Sequence, residues 1–323
     1  MATEGGTKAI VAALLANSGI AVTKFVAFGL TGSSSMLAES VHSVADAGNQ
    51  GLLLLGGKRA KRAATPEHPF GYGRERYVYA FIVAIVLFSV GGLFALYEAW
   101  HKYSDPHPIE AWHWVPVVVL LVAIVMESFS FRTAIVESNH VRGSQSWKDF
   151  VRRAKAPELP VILLEDLGAL VGLVFALFGV SMTLLTGDGR WDAIGSAMIG
   201  VLLVVIAIIL AIEMKSLLLG EGATPEHLRA IEAALPGEGV ASIIHMKTLH
   251  LGPEELLVAA KIAVDGGDSA ADVARAIDAA EKRVREAVPI ARVIYLEPAL
   301  HEPGRQRTEP RAEPQTARPS GDR

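Results

Sequence analysis

The sequence predicts an all-α six-helix transmembrane domain followed by a small α+β (α-β-β-α-β) cytoplasmic domain. Three observations support this fold class. Only 20% of the 323 residues are charged, whereas a soluble chain carries about a quarter. Six apolar stretches are long enough to cross a bilayer, and charges become dense only after about residue 215. The net charge of −4 argues against a nucleic-acid-binding surface, and the lack of cysteine excludes disulfides and thiolate chemistry.

Six stretches reach the length that a transmembrane helix needs, which is about 20 mostly apolar residues. They are residues 8–30, 34–55, 76–100, 113–136, 158–185 and 191–213. The first lacks a short apolar core followed by a small-residue cleavage site, so we interpret it as a retained span and not as a signal peptide. The second and the fifth are interrupted by ionisable residues, which indicates that they do more than anchor the chain.

Basic residues are concentrated in alternate loops. The loops after the second and fourth spans contain Lys58, Arg59, Lys61, Arg62, Arg74, Arg76, Arg142, Lys148, Arg152, Arg153 and Lys155. The opposite loops contain only Lys102 and Arg190. Because loops rich in lysine and arginine stay on the cytoplasmic side, the sequence predicts a multi-pass protein of the cell membrane with both termini in the cytoplasm.

The composition after the last span is that of a small soluble domain. We predict a transmembrane transport domain over residues 1–214, a cytoplasmic α+β domain over 215–301 and a disordered tail over 302–323, which is rich in proline, glycine and arginine. The predicted elements are a helix from Thr224 to Pro236, strands Val240–Leu251 and Leu256–Val264, a helix from Ser269 to about Val288, and a strand Ile290–Glu297. This order suggests a small antiparallel or mixed sheet covered by helices on one face.

A polar stripe follows one face of the second span. Its members are spaced by three and four residues: Glu39, His42, Ser43, Asp46, Asn49 and Gln50. Ionisable residues inside a membrane face protein or a wet cavity. Ser43, Asn49 and Gln50 are interpreted as interhelical hydrogen-bonding groups. His42 and Asp46, at i and i+4, can converge on one metal ion, as facing ligands do in helical bundles.

A single helix cannot complete a metal shell, and the fifth span supplies further carboxylates. Glu165 and Asp166 are adjacent, so they point about 100° apart and only one of them can face the site squarely. Asp166 is the preferred ligand. Glu165 is a fourth ligand, a proton carrier or a carboxylate paired with another helix. Glu127 in the fourth span either faces the same cavity or forms a hydrogen bond in helix packing.

One imidazole with carboxylates and without thiolates suits zinc, with cobalt, iron, nickel or manganese as further possibilities. Magnesium and calcium are disfavoured because they prefer oxygen ligands. Metal binding displaces protons from the same ligands. The sequence therefore predicts a site that exchanges zinc or another divalent cation, as transported ligand, for protons, with no catalytic cofactor.

Two motifs in order carry a family resemblance: AESVHSVAD at residues 38–46 and HPFGYGRER at residues 68–76. They resemble the cation diffusion facilitator family. The resemblance covers nearly all of residues 8–300 and implies efflux of zinc or a related divalent metal, driven by proton entry, in a homodimer within membrane lipid.

The sequence departs from this family at defined positions. The family's fifth helix usually carries histidine or aspartate four residues before its aspartate, where this chain has Ile162. Zinc-transporting members often have a histidine where Tyr72 follows His68, so we expect no strong metal site in that loop. In the cytoplasmic domain His245 matches a common metal position, but Lys261 and Tyr295 replace histidines. We expect this domain to dimerise and not to bind metal.

Two other classes of function remain possible from the sequence. An intramembrane metalloenzyme would need a water-activating metal site, but the spans contain no H-E-x-x-H motif and no obvious nucleophile–base pair, so we predict that the chain is not an enzyme. A non-transporting scaffold or partner protein would retain the fold with an altered metal site, and the changed fifth span is consistent with that alternative.

Overall fold

The computed structural model describes residues 4–107 and 112–300, and within the first helix it describes side chains from Ser18 onward. The predicted tail 302–323 and His301 lie outside these residues. The chain divides after Gly220 into two compact units. The first unit is helical, and the second combines two helices with a three-stranded sheet.

The helices of the first unit coincide with the six predicted stretches. They are α1 (Glu4–Thr31), α2 (Ser34–Ala60), α3 (Glu75–Val86), a π-helical segment (Leu87–Leu93), α4 (Phe94–Ser104), α5 (Trp114–Arg142), a short α6 (Trp147–Arg153), α7 (Glu158–Thr186) and α8 (Arg190–Leu219). The segments α3, π and α4 form one continuous helix over Glu75–Ser104. The short α6, which lies in the basic loop after the fourth span, was not predicted from the sequence.

Four helices are long and apolar enough to cross a membrane among the residues searched: Glu75–Ser104, Trp114–Arg142, Glu158–Thr186 and Arg190–Leu219. The described side chains of α1 give a shorter apolar helix, Ser18–Thr31. The polar stripe lowers the hydropathy of α2, which is not among the four. Most large apolar side chains exposed on α5 and α8 would face lipid, because an apolar surface of this size is not left in water.

Small residues allow α8 to approach its neighbours closely. A side chain at Gly179 of α7 would come within 2.9 Å of the Trp191 carbonyl, and one at Gly92 within 2.7 Å of Val204. Such close approach through glycine is typical of helix packing in membranes, where dispersion contacts replace the hydrophobic driving force. The π-helical segment therefore lies tightly against α8.

The second unit contains α9 (Pro225–Ala234), β1 (Ser242–Gly252), β2 (Glu255–Val264), α10 (Ala270–Ala287) and β3 (Val293–Leu300). The strand order is β1-β2-β3, with β2 antiparallel to β1 and parallel to β3, so the sheet is mixed. Alternate residues of β2, among them Val258 and Ile262, are buried with Ile231 of α9 and Val284 of α10. The prediction of an α-β-β-α-β order with helices on one face is confirmed.

Candidate functional site

The polar stripe of α2 is buried inside the helical unit. Ser33 caps α2, where its side chain accepts a hydrogen bond from the backbone N–H of Met36. Glu39, His42 and Asn49 are completely inaccessible, and Asp46 is nearly so. Helices α1, α7 and the π-helical segment pack against α2. The face that the sequence predicts to be polar is therefore turned toward other helices.

His42 and Asp46 come together on this face. The Nδ1 atom of His42 lies 3.5 Å from the Oδ1 atom of Asp46. Within the described residues, three atoms of this pair have no hydrogen-bond partner: the two ring nitrogens of His42 and the Oδ1 atom of Asp46. Leaving a buried polar group unpaired costs about 1–3 kcal/mol, and buried polar groups in proteins are nearly always paired. The pair therefore retains hydrogen-bonding and metal-ligating atoms that its described neighbours do not satisfy.

The fifth span brings its two carboxylates to different neighbours. Glu165 accepts a short hydrogen bond from the Asn49 amide of α2, and Asp166 accepts one from the Ser130 hydroxyl of α5 at 2.9 Å. Helix α7 therefore turns Glu165 toward α2 and Asp166 toward α5.

Glu127 of α5 is buried inside the helical unit. The prediction of interhelical hydrogen bonds is confirmed for Asn49, which donates to Glu165 of α7, and for Ser43, which accepts from Lys24 of α1. It is not confirmed for Gln50, whose Oε1 atom has no hydrogen-bond partner among the described residues.

The side chains do not close into a metal shell. No group of three or more histidine, aspartate and glutamate side chains in the described part of the chain is arranged to hold a metal ion. His42 and Asp46 form one half of a candidate site, and Glu165 and Asp166 form the other half on the facing helix. An ion would have to draw Glu165 away from Asn49 to bridge the two halves.

Glycine and π-helical geometry leave room beside the histidine. A side chain at Gly91 would lie 3.8 Å from His42 Nδ1 and 3.1 Å from Leu203. Gly91 belongs to the π-helical segment, whose hydrogen-bond pattern is rare and occurs frequently at functional sites. Nothing in the sequence analysis predicted this segment, since its composition is that of an ordinary apolar helix.

Lys24 is a buried charged residue that the sequence analysis missed. It lies on α1 and donates hydrogen bonds to the Glu39 carboxylate at 3.0 Å and to the Ser43 hydroxyl at 2.8 Å. A lysine within the predicted first span was the available signal, because an ionisable residue inside a membrane needs a partner. Glu39, on the polar stripe, is that partner.

Asp192 is a second missed residue, and it organises the start of α2. Its carboxylate accepts hydrogen bonds from the Ser33 and Ser34 hydroxyls and from the backbone N–H groups of Ser34 and Ser35. A carboxylate at a helix N-terminus also offsets the positive end of the helix dipole. Helix α8 thereby fixes the end of the helix that carries the candidate ligands.

In the second unit, the position that matches a metal ligand of the family, His245, has a lysine beside it on the sheet. His245, Lys261 and Glu297 lie in one row across the three strands. The Lys261 ammonium donates a hydrogen bond to Glu297 at 2.7 Å and lowers the pKa of that carboxyl. An ammonium in this position repels a metal cation. His68, in the loop after α2, packs edge-on against Tyr72 with ring centroids 4.7 Å apart.

Comparison with known proteins identifies the family of the chain. Residues 10–219, most of the chain, match the cation efflux transmembrane domain. The chain therefore belongs to the cation efflux family, which is the cation diffusion facilitator family, and the resemblance stated from its two motifs is confirmed.

Its relatives include named zinc transporters. The mitochondrial proton-coupled zinc antiporter SLC30A9 of Mus musculus is 31% identical over 267 residues, which are 81% of this chain and 47% of that protein. Metal tolerance protein C4 of Arabidopsis thaliana is 29% identical over 80% of this chain and 57% of its own. Zinc transporter ZitB of Pectobacterium atrosepticum is 28% identical over 54% and 52%, respectively. The chain spans about half the length of these curated relatives, and none of the three names is that of an enzyme.

Proposed function

We propose that this chain moves a divalent cation, zinc first among them, across a membrane in exchange for protons. Membership of the cation efflux family supports a transport role. A relative named as a proton-coupled zinc antiporter supports both the metal and the counter-ion. We further propose that the chain forms a homodimer in the cell membrane and crosses it six times. In this proposal residues 1–214 are the transport domain and residues 215–301 the cytoplasmic domain. Both termini lie in the cytoplasm, an orientation that the alternation of basic loops supports.

The observation that carries the proposal is the unpaired His42–Asp46 couple. A buried imidazole with two unpaired nitrogens, 3.5 Å from a carboxylate oxygen, offers nitrogen and oxygen donors to one ion. This donor set fits zinc, which takes histidine nitrogen and carboxylate oxygen in tetrahedral sites. It fits magnesium and calcium less well, since both select oxygen ligands.

Helix α7 supplies the remaining donors in the proposed site. Glu165 is the better-placed direct ligand, because its carboxylate already contacts α2 through Asn49. Asp166 is held by Ser130 and completes or supports the shell from the α5 side. The ligands that bind the cation also bind protons, so entry of one releases the other. This linkage is the physical basis of exchange.

An exposed histidine–aspartate pair in the same chain provides a matched control. His107 lies 3.1 Å from Asp105, and both side chains are about two-thirds exposed. In purified full-length protein, His42→Ala and Asp46→Asn should each weaken zinc binding in titration calorimetry by about tenfold or more, whereas His107→Ala and Asp105→Asn should not.

The selectivity of the site gives a second readout. His42→Asp makes the donors on α2 all oxygen and should shift preference from zinc toward manganese.

Wild-type zinc affinity in both His42→Ala and Asp46→Asn would contradict the site. Protein that folds and dimerises but neither binds nor moves zinc would favour the scaffold alternative.

A further inference from the structure

Lys24 places a positive charge in the most acidic region of the helical unit. Its ammonium is 1% exposed and is held by Glu39 and Ser43 of α2. Within the described residues of this unit, it is the one lysine or arginine that is buried. Such a charge is unfavourable in a membrane interior unless it is paired, so its position is specified by these two contacts.

The contacts of Lys24 lie on both sides of His42 along α2. Its two hydrogen-bond partners, Glu39 and Ser43, lie three residues before and one residue after His42 on α2. The ammonium therefore lies on the α2 face that carries the candidate ligands, and Glu39, on the same helix one turn earlier, holds it there.

Room for the Lys24 side chain exists next to this position. A cavity of about 400 Å³ lies between α1 and α5, and its lining includes Thr23, Lys24, Val119 and Met126. The remaining lining residues are apolar or glycine. The hydrogen bonds to α2 therefore determine where the charge sits.

A transport site has to release its ion as well as bind it, so its affinity has an upper useful limit. Glu39 and Asp46 of α2 and Glu165 and Asp166 of α7 are buried acidic side chains on two helices that pack against each other. Electrostatic attraction in a weakly polar interior is several times stronger than in water. A positive charge next to these side chains weakens their attraction for a divalent cation and so favours its release.

We propose that Lys24 sets the affinity of the transport site, because its ammonium, held by Glu39 and Ser43, is an internal positive charge on the α2 face that carries His42 and Asp46. The inference rests on the proposed function and adds to it the group that keeps cation binding reversible. In this role Glu39 is not a metal ligand. It is the anchor of the internal cation.

Two substitutions test this role, one that removes the positive charge of the pair and one that removes its negative charge. Lys24→Met removes the positive charge with little change in size and should lower the zinc Kd by about tenfold. In proteoliposomes it should lower both KM and the maximal rate, because release becomes slow. Glu39→Gln retains the ammonium and removes the negative charge, so the zinc Kd should rise by about tenfold. The double variant restores the local charge balance and should return Kd to within about threefold of wild type.

Thr23→Val, on the neighbouring exposed position of α1, is the matched control and should leave the zinc Kd unchanged. If the ion pair were purely structural, the two single variants would change the zinc Kd in the same direction, or neither would change it. Either result would overturn the inference. Because Lys24→Met leaves a buried carboxylate without its cation, Glu39→Gln provides the independent measurement if the first variant does not fold. Failure of the wild-type protein to bind or move zinc would instead refute the proposed function.

Discussion

The carboxylate of Asp192 should be one of the main determinants of the stability of the helical unit. It is fully buried and accepts four hydrogen bonds from the start of α2, at 2.9 and 3.2 Å from the Ser33 and Ser34 hydroxyls and at 2.6 and 3.2 Å from the Ser34 and Ser35 N–H groups. Asp192→Ala leaves both backbone donors buried without an acceptor. At about 1–3 kcal/mol for each unsatisfied group, the unfolding free energy should fall by about 3 kcal/mol.

Asp192→Asn should destabilise by about half as much, since its one carbonyl oxygen can still accept from one of the two backbone groups. Equilibrium unfolding of the purified protein in detergent measures both effects. Asp188→Ala is the control, because Asp188 is exposed and accepts a single hydrogen bond from the Arg190 N–H group at 3.0 Å. If Asp192→Ala proved no less stable than Asp188→Ala, the reasoning about the capped end of α2 would be refuted.

Three further predictions concern α7 and the second unit. Glu165→Gln should weaken zinc binding more than Asp166→Asn does, as measured by calorimetry, because Glu165 contacts α2; the opposite order would make Asp166 the direct ligand. Gly172→Ala places a methyl group 2.8 Å from the Glu39 carboxylate and should lower the unfolding free energy in detergent by about 1–3 kcal/mol; an unchanged value would contradict the packing. The pKa of Asp272 is lowered by the hydrogen bond from the helix cap, so the stabilisation is present above its unfolded pKa and is lost as pH falls through the folded pKa. Asp272→Ala should therefore reduce amide-exchange protection of α10 at pH 7, with the difference from wild type vanishing in acid, and a difference independent of pH would count against the cap.

The helices and the capping chemistry could be predicted from the sequence because their causes are local. Six apolar stretches correspond to helices, and the predicted Ser269–Asp272 capping box is present at the start of α10. The period of three and four residues in α2 correctly indicated a buried face carrying His42 and Asp46. These features depend on the spacing of neighbours along one helix, which is visible in the printed sequence.

The partners of these residues could not be predicted, because they depend on contacts between distant segments. Asp192 resembles an ordinary acidic residue in a helix first turn, and nothing local shows that it caps a helix about 158 residues earlier. The different directions of Glu165 and Asp166 depend on the rotation of α7, which sequence spacing does not specify. The pairing of Lys24 with Glu39 was detectable in principle, since two opposite charges in adjacent spans require compensation.

Simultaneous measurement of zinc and proton flux in proteoliposomes tests the central claim most directly. Purified full-length protein, reconstituted with a zinc-sensitive and a pH-sensitive dye in the lumen, is exposed to an inward zinc gradient. The account predicts zinc entry accompanied by proton exit in the wild type, and loss of both fluxes by about tenfold or more in Asp46→Asn, with Asp105→Asn retaining both. Zinc entry without proton movement in the wild type, or equal fluxes in Asp46→Asn, would contradict it.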